Sequence, residues 1–479
     1  MYGVIDVGTT GIKLSIYDEE LRKIHYEKHI LGFEQLESGF IEQDSRRLAE
    51  VVRGLSRRAR EFGVKKLGIC TYRASVLAWR RDGSPLTNVI TWMDGRGMEV
   101  ISRLPIVARA LRKLSGSLNT ILSPDSPAVL LKWIYGRAGI EKDVEEGNAF
   151  AWTLDSFLIY NLTGKFLSDS TNATLTGLVH PKDLSKIDII FDLLKLPEVT
   201  PDVVENVSDL GRFEDMDLVV SIADQQSAAL GMGVVERGRV ESVHGTGSFI
   251  EAATSEFIMP KGGLIPLIIL SLEGRRVYGL EGFIRSTGST VDWLKGVGLF
   301  SSYDEMEELA RMGRRKAILI PSLGGLRVPR ADKLRGVMTG LDLSTKRADI
   351  VSGIAWGISI HLAIIIERMR SYLGSLKEPL LSAGGYSRSN AFLQRLSDIS
   401  GMRVARLKDT EASSFGVAKL LAYSDGRLSR EDLPKTPEID TVFEPEMSED
   451  ERRALIREYS KLLEVMTSCE GNPFMRGSF

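Results

Sequence analysis

Two short hairpin-like segments, one in each half of the chain, constrain the fold most. The first runs from Tyr2-Gly-Val-Ile through the turn Asp6-Val-Gly-Thr-Thr-Gly11 into Ile12-Lys-Leu-Ser-Ile-Tyr17, strand, tight turn and strand. The second, Val243-His-Gly-Thr-Gly-Ser248, again lies between β-prone runs. A pattern of this kind that recurs once marks a duplicated unit. At 479 residues the chain also exceeds what one hydrophobic core usually organises, so two large domains are expected. Breakers in Met232-Gly-Val-Val-Glu-Arg-Gly238 put the boundary just before the second hairpin. The expected division is an N-terminal domain over 1–235, a C-terminal domain over 236–427, and a charged segment with a helix over 428–479.

Strand and helix signals alternate along the first half. Asp44 and Ser45 are N-cap candidates for a helix with Leu48, Val51, Val52 and Leu55 on one face, ending before Gly63. Val64 to Thr71 reads as a buried strand that runs into the polar cluster Tyr72-Arg73-Ala74-Ser75, and Val76 to Arg80 resumes strand character. The class is therefore α/β. Beyond Pro434, Pro437 and Pro445, Leu455, Ile456, Tyr459, Leu462 and Leu463 predict a helix over Ser448 to Met466, packed on the second domain.

Composition removes several function classes. Lys+Arg 62 against Asp+Glu 64 leaves a formal charge of -2, without the basic bias that a nucleic-acid backbone demands. Cys70 and Cys469 stand far apart and near no histidine cluster, so neither a disulfide framework nor a zinc site is suggested. Apolar runs such as Leu264 to Leu272 are too short for a membrane span, and Met1 leads straight into a strand carrying Asp6 rather than into a signal peptide. A cytoplasmic protein without nucleic-acid or membrane partners is expected.

Phosphoryl transfer needs donors around the phosphates, a metal held by carboxylate and a positioned acceptor hydroxyl. In the first hairpin glycines let the backbone approach phosphates, Thr9 and Thr10 supply hydroxyls, Lys13 supplies charge, and Asp6 is placed to hold Mg²⁺ through water. One such turn by itself also reads as an ordinary hairpin. Two of them in separate halves suit the clamping of one polyphosphate. Asp224 follows the apolar run Leu218-Val-Val and opens a small-residue helix, which puts its carboxylate at a strand's C-terminal end, where α/β sites form. It reads as a general base or as a helix cap. Ser382-Ala-Gly384-Gly385-Tyr-Ser-Arg-Ser-Asn390 turns from strand to helix, and its glycines offer a flat surface for a base. His244 reads as a packing or phosphate contact rather than a metal ligand.

Taken in order, these segments resemble the FGGY carbohydrate kinases, which include the glycerol and xylulose kinases, over roughly residues 2 to 425. Asp6 to Lys13 is similar to that family's first phosphate hairpin and His244 to Phe249 to its second. Gly39-Phe-Ile-Glu-Gln-Asp44 resembles its Gly-Trp-x-Glu-Gln-Asp segment, and Ala383 to Asn390 with Glu411 to Ala418 its adenosine region. The resemblance implies two actin-like (ribonuclease H-like) domains with a nucleotide cleft between them. It implies an ATP-dependent phosphotransferase acting on a small sugar or polyol, with Asp224 as catalytic base and Asp6 serving Mg²⁺. Thr9, Thr10, Lys13, Thr246, Gly288, Gly384, Gly385 and Asn390 are the implied nucleotide contacts, and a homodimer is compatible with it.

The implied substrate contacts are Arg73, Trp92, Asp224, Gln225 and Phe249. Trp92 and Phe249 also read as core aromatics, and Asp94 with Arg96 as a surface ion pair. Ala74 departs from the glycerol kinases, which carry a glutamate there. A substrate hydroxyl left unpaired would lose on the order of 1 to 3 kcal/mol of binding. The glycerol kinases' pocket tyrosine is not evident in Leu122 to Ser126, where Asp125 offers an acceptor. The alternative to an active kinase is a non-catalytic nucleotide- or sugar-binding sensor of the same fold.

Overall fold

Tyr2–Gly8 (β1) and Gly11–Tyr17 (β2) are antiparallel strands joined by Thr9 and Thr10 in the computed structural model, which describes residues 1–36, 40–332 and 334–468. Gly39 and Cys469 lie outside the described residues. Lys23–Ile30 (β3) extends the sheet beyond β2. Ser45–Glu61 (α1) begins where Asp44 accepts a hydrogen bond from Arg47 N–H at 2.9 Å, a cap contributing about 1 kcal/mol. Its buried face carries Leu48, Val52, Leu55 and Ala59.

Lys66–Thr71 (β4) runs parallel to β1 and is buried on both faces, as an interior parallel strand must be. Leu167–Asp169 (β5) leads into the single-turn helix Ser170–Thr174 (α2). Met216–Ala223 (β6) is parallel to β4 and passes directly into Asp224–Gly231 (α3). The main sheet of this unit therefore has β6, β4, β1, β2 and β3 side by side.

The second unit repeats the scheme. Arg239–His244 (β7) and Ser248–Thr254 (β8) form an antiparallel hairpin. Gly288–Gly296 (α4) and Arg347–Leu373 (α5) precede Lys377–Ala383 (β9), which is parallel to β7. Asn390–Ser400 (α6) leads to Val404–Leu407 (β10), parallel to β9. In both units a hairpin is followed by two strands parallel to its first strand, so the two Gly-Thr turns occupy equivalent places in a duplicated α/β fold. Ala412–Ser424 (α7), Ile439–Phe443 (β11) and Glu449–Ser468 (α8) lie toward the end of the described chain.

By internal contacts, the first unit comprises Met1–Gly231, Leu267–Tyr278 and Ser413–Lys435, and the second comprises Met232–Pro266, Gly279–Ala412 and the chain from Thr436 onward. α5 is long and apolar enough to cross a membrane by length and composition, but it is mostly buried as the central helix of the second unit. α8 lays Leu455, Tyr459 and Leu463 against Ile360, Ala363 and Ile399.

Candidate active site

Parallel register brings the two acids of the first unit to one end of its sheet. Asp6 of β1 is level with Cys70 of β4, and Cys70 is level with Ile222 of β6, two residues before Asp224. Asp6 and the Asp224 strand end thus flank β4, two strand spacings or about 10 Å apart. Asp6 is buried and pairs across the hairpin with Lys13, whose Nζ lies 3.3 Å from its carboxylate. Ser414 Oγ donates to the same carboxylate at 3.5 Å. Thr9 is partly exposed and Thr10 exposed at the turn itself.

Desolvation pushes the Asp224 carboxyl up to about 6, against a downward pull from Arg73, while Asp6 raises it further. Gln225 N–H donates to Asp224 Oδ1 at 2.8 Å. Arg73, only 8 % exposed, donates from Nη1 to Gln226 Oε1 at 3.2 Å. Tyr72 is buried between Arg73 and β4, and its hydroxyl donates to Gln43 Oε1 at 2.7 Å. Burial, reinforced by Asp6 and Asp224, pushes the Cys70 thiol well up, so it is held neutral. A carboxyl near 6 is a useful proton acceptor at neutral pH, because it is ionised yet more basic than an ordinary aspartate.

Trp92 is half-buried, and its backbone N–H donates to Ser75 Oγ at 3.0 Å, two residues past Arg73. Asp94 and Arg96 are not a surface pair: they are 0 % and 3 % exposed. Arg96 forks onto Asp94 at 2.9 and 2.8 Å and reaches Glu42 at 2.7 Å, while Asp94 accepts Ile41 N–H at 2.7 Å. The guanidinium lies 4.2 Å from the Phe40 ring centroid and 4.7 Å from that of Trp133, and this aromatic cover keeps the pair from solvent. The segments around Glu42 and Trp92, remote in sequence, are therefore one structural cluster.

In the second unit the predicted nucleotide residues converge on the second hairpin. Gly245 N–H closes the turn onto Gly247 O at 2.8 Å. Gly288 N–H donates to Gly245 O at 3.0 Å, and Thr287 N–H to Thr246 O at 2.9 Å. Gly384 packs against His244: its φ is +90°, and a Cβ there would lie 2.6 Å from His244 O, so only glycine fits. Thr246, Gly288 and Gly384 are thereby brought together, and the exposed Gly385 follows directly. Asn390 stands further along, its Oδ1 accepting from Arg406 Nη1 at 2.7 Å.

His244 bonds Ser248 through Nδ1 at 2.8 Å and Ser242 through Nε2 at 3.0 Å, and burial pushes its pKa down to about 3. It is a neutral packing residue. Phe249 stacks on Phe283 with centroids 5.2 Å apart. Ser414 and Gln226 escape local sequence reasoning. Ser414 meets Asp6 from the far end of the chain, and Gln226 stands beside the more conspicuous Gln225.

A family model for the FGGY carbohydrate kinase N-terminal domain matches residues 1–216, and one for the C-terminal domain of that family matches residues 240–424. The chain belongs to the FGGY family of carbohydrate kinases. Among its relatives, an uncharacterized sugar kinase of Archaeoglobus fulgidus is 28% identical over 97% of this chain and 99% of its own length. A glycerol kinase of Thermococcus onnurineus is 29% identical over 95% of both. The solved structure of Plasmodium falciparum glycerol kinase with ADP superposes with a TM-score of 0.85 at 24% identity, covering 97% of this chain and 98% of that one. Xylulose kinase of Lactobacillus acidophilus gives 0.83 at 19%, over 98% and 99%. The two-domain α/β fold of this FGGY kinase is thus that of the glycerol and xylulose kinases.

Proposed function

We propose that this FGGY kinase transfers the γ-phosphoryl group of ATP to a hydroxyl of a small sugar or polyol, with Asp224 as general base. The observation that carries this reading is the placement of Asp224 at the C-terminal end of β6, across β4 from Asp6, and the upward push of burial on its carboxyl supports it. Asp224 takes the proton of the substrate hydroxyl as its oxygen attacks the γ-phosphorus and the bond to the ADP oxygen breaks. Arg73, Gln225 and Trp92 hold the substrate's other hydroxyls, and Phe249 packs on its carbon face. The glycine-rich turns of the two hairpins receive the phosphates, with Thr9, Thr10, Lys13 and Thr246 as donors, and Gly288, Gly384, Gly385 and Asn390 line the nucleoside.

Among the described residues no group of three or more His, Cys, Asp or Glu side chains forms a metal cage. A single buried carboxylate, Asp6, suits a Mg²⁺ ion that arrives on the nucleotide and keeps most of its waters. Bound there, the ion would neutralise charge on the β- and γ-phosphate oxygens.

Ala74 sits where glycerol kinases carry an acceptor glutamate, which favours a sugar or polyol other than glycerol. An ADP-release screen with ATP and Mg²⁺ over glycerol, pentuloses, hexuloses, pentitols and inositols, beside Asp224→Ala, tests the proposal. One substrate should drive turnover that the variant loses. ATP binding without substrate-stimulated release anywhere would mean a sensor instead.

A further inference from the structure

Just before Asp224 a side chain joins the hydrogen bonding of the β6 backbone. Ser221 N–H goes to Asn206 O at 3.2 Å, but the N–H of Ala223, the residue before Asp224, goes to a side chain, Thr171 Oγ1, at 2.9 Å. That hydroxyl in turn donates to Asp169 Oδ1. Asp169 is fully buried and caps α2 by accepting Thr171 N–H and Asn172 N–H. A cap needs only those two bonds. The same carboxylate also accepts Ser221 Oγ and Asn172 Nδ2, each at 2.8 Å, and Asn206 Nδ2 at 3.5 Å. Asn172 Nδ2 further reaches Thr71 Oγ1 at 3.4 Å, at the end of β4 two residues before Arg73. One buried acid thus ties together the ends of the two strands that carry Asp224 and Arg73.

We propose that Thr171, held by Asp169, is a positioning residue of the phosphotransfer site, fixing the strand end from which the Asp224 carboxylate projects. The inference rests on the reading of Asp224 as general base. A buried amide one residue from the base would lose the hydroxyl it donates to if Thr171 were changed to valine, and small displacements of a catalytic group are costly in rate.

Thr171→Val keeps the side-chain volume and removes the hydroxyl, Thr171→Ser keeps the hydroxyl, and Asp224→Asn is the reference for loss of the base. With the substrate found by the release screen, T171V should lower kcat roughly tenfold to a hundredfold, leave KM for ATP and substrate within about twofold, and displace the acid limb of the kcat profile. Thr171→Ser should recover most of that loss. A folded T171V with wild-type kcat, or a T171S as impaired as T171V while D224N is inactive, overturns the positioning role alone. Wild-type turnover by D224N overturns the base assignment and this inference with it. Should T171V not fold, Thr171→Cys replaces it: its thiol is a weak acceptor, so kcat should fall below that of T171S, and equal rates overturn the proposal.

Discussion

Arg73 and Asp224 act against each other's surroundings: burial pushes the Asp224 carboxyl up to about 6, and the Arg73 guanidinium keeps it from rising higher. In the proposed role of base Asp224 must be ionised, so kcat/KM should fall as the pH drops through about 6, approaching tenfold per unit below it. Arg73→Met removes the downward pull and should move this limb to higher pH. The stability linkage has the opposite sign. A carboxyl raised on folding contributes stability at pH below its unfolded value, and that contribution is lost as the pH rises through about 6. Acid inactivation near 6 should therefore occur without unfolding through this group, which thermal melts at pH 5 and 7 will check.

Ala74 has φ of 55°, in the left-handed region, directly beside Arg73. A glutamate there would bear much the same backbone strain as alanine, so Ala74→Glu should alter the proposed substrate pocket more than the fold. Restoring an acceptor for substrate hydroxyls should raise kcat/KM for glycerol by about tenfold, within the 1 to 3 kcal/mol range of a buried hydroxyl's hydrogen bond. Steady-state kinetics on glycerol and on the native substrate, compared between the two proteins, will show it.

Arg96 is the keystone of a buried ionic cluster, with Asp94 and Glu42 as partners and Phe40 and Trp133 as its cover. Arg96→Lys keeps the charge but cannot form the two-pronged contact with Asp94 or stack on both rings. Breaking a buried pair typically costs about 3 to 5 kcal/mol, and the lysine should incur a large part of that. Melting temperature and protease resistance of the first unit are expected to fall clearly, whereas a change confined to substrate KM would contradict a structural role.

Gly384 meets the second hairpin where no Cβ fits. Gly384→Ala should displace the turn at Gly245 and Thr246, raising KM for ATP by tenfold or more while KM for the sugar changes less. Isothermal titration with a non-hydrolysable ATP analogue gives the same contrast without turnover.

Much of this was legible because the signals are local. The Asp6 and His244 hairpins, the Asp44 cap and the placing of Asp224 at a strand's end each need only a short window of sequence, since turn chemistry and period-2 patterning are set by near neighbours. What stayed hidden depends on partners distant along the chain. Asp94 and Arg96, two residues apart, look like a solvated pair until Phe40 and Trp133 are seen to enclose them. Asp169 draws no reading from its own stretch of sequence, and nothing near it announces the cap, Ser221 or the Thr171 bond to Ala223. The glycines proposed to meet the nucleotide were visible as glycines, but the contact of Gly384 with His244 exists only once β7 and β9 pair in parallel.

The most direct test of the account is product analysis with Asp224→Asn, a neutral isostere that retains the residue's shape. With the substrate found by the release screen, wild-type protein should form one sugar phosphate per ADP released. The variant should bind the ATP analogue as tightly while its kcat falls by about a hundredfold or more, the scale of a lost general base. ADP release without sugar phosphate, or an Asp224→Asn variant with wild-type kcat, would contradict the central claim.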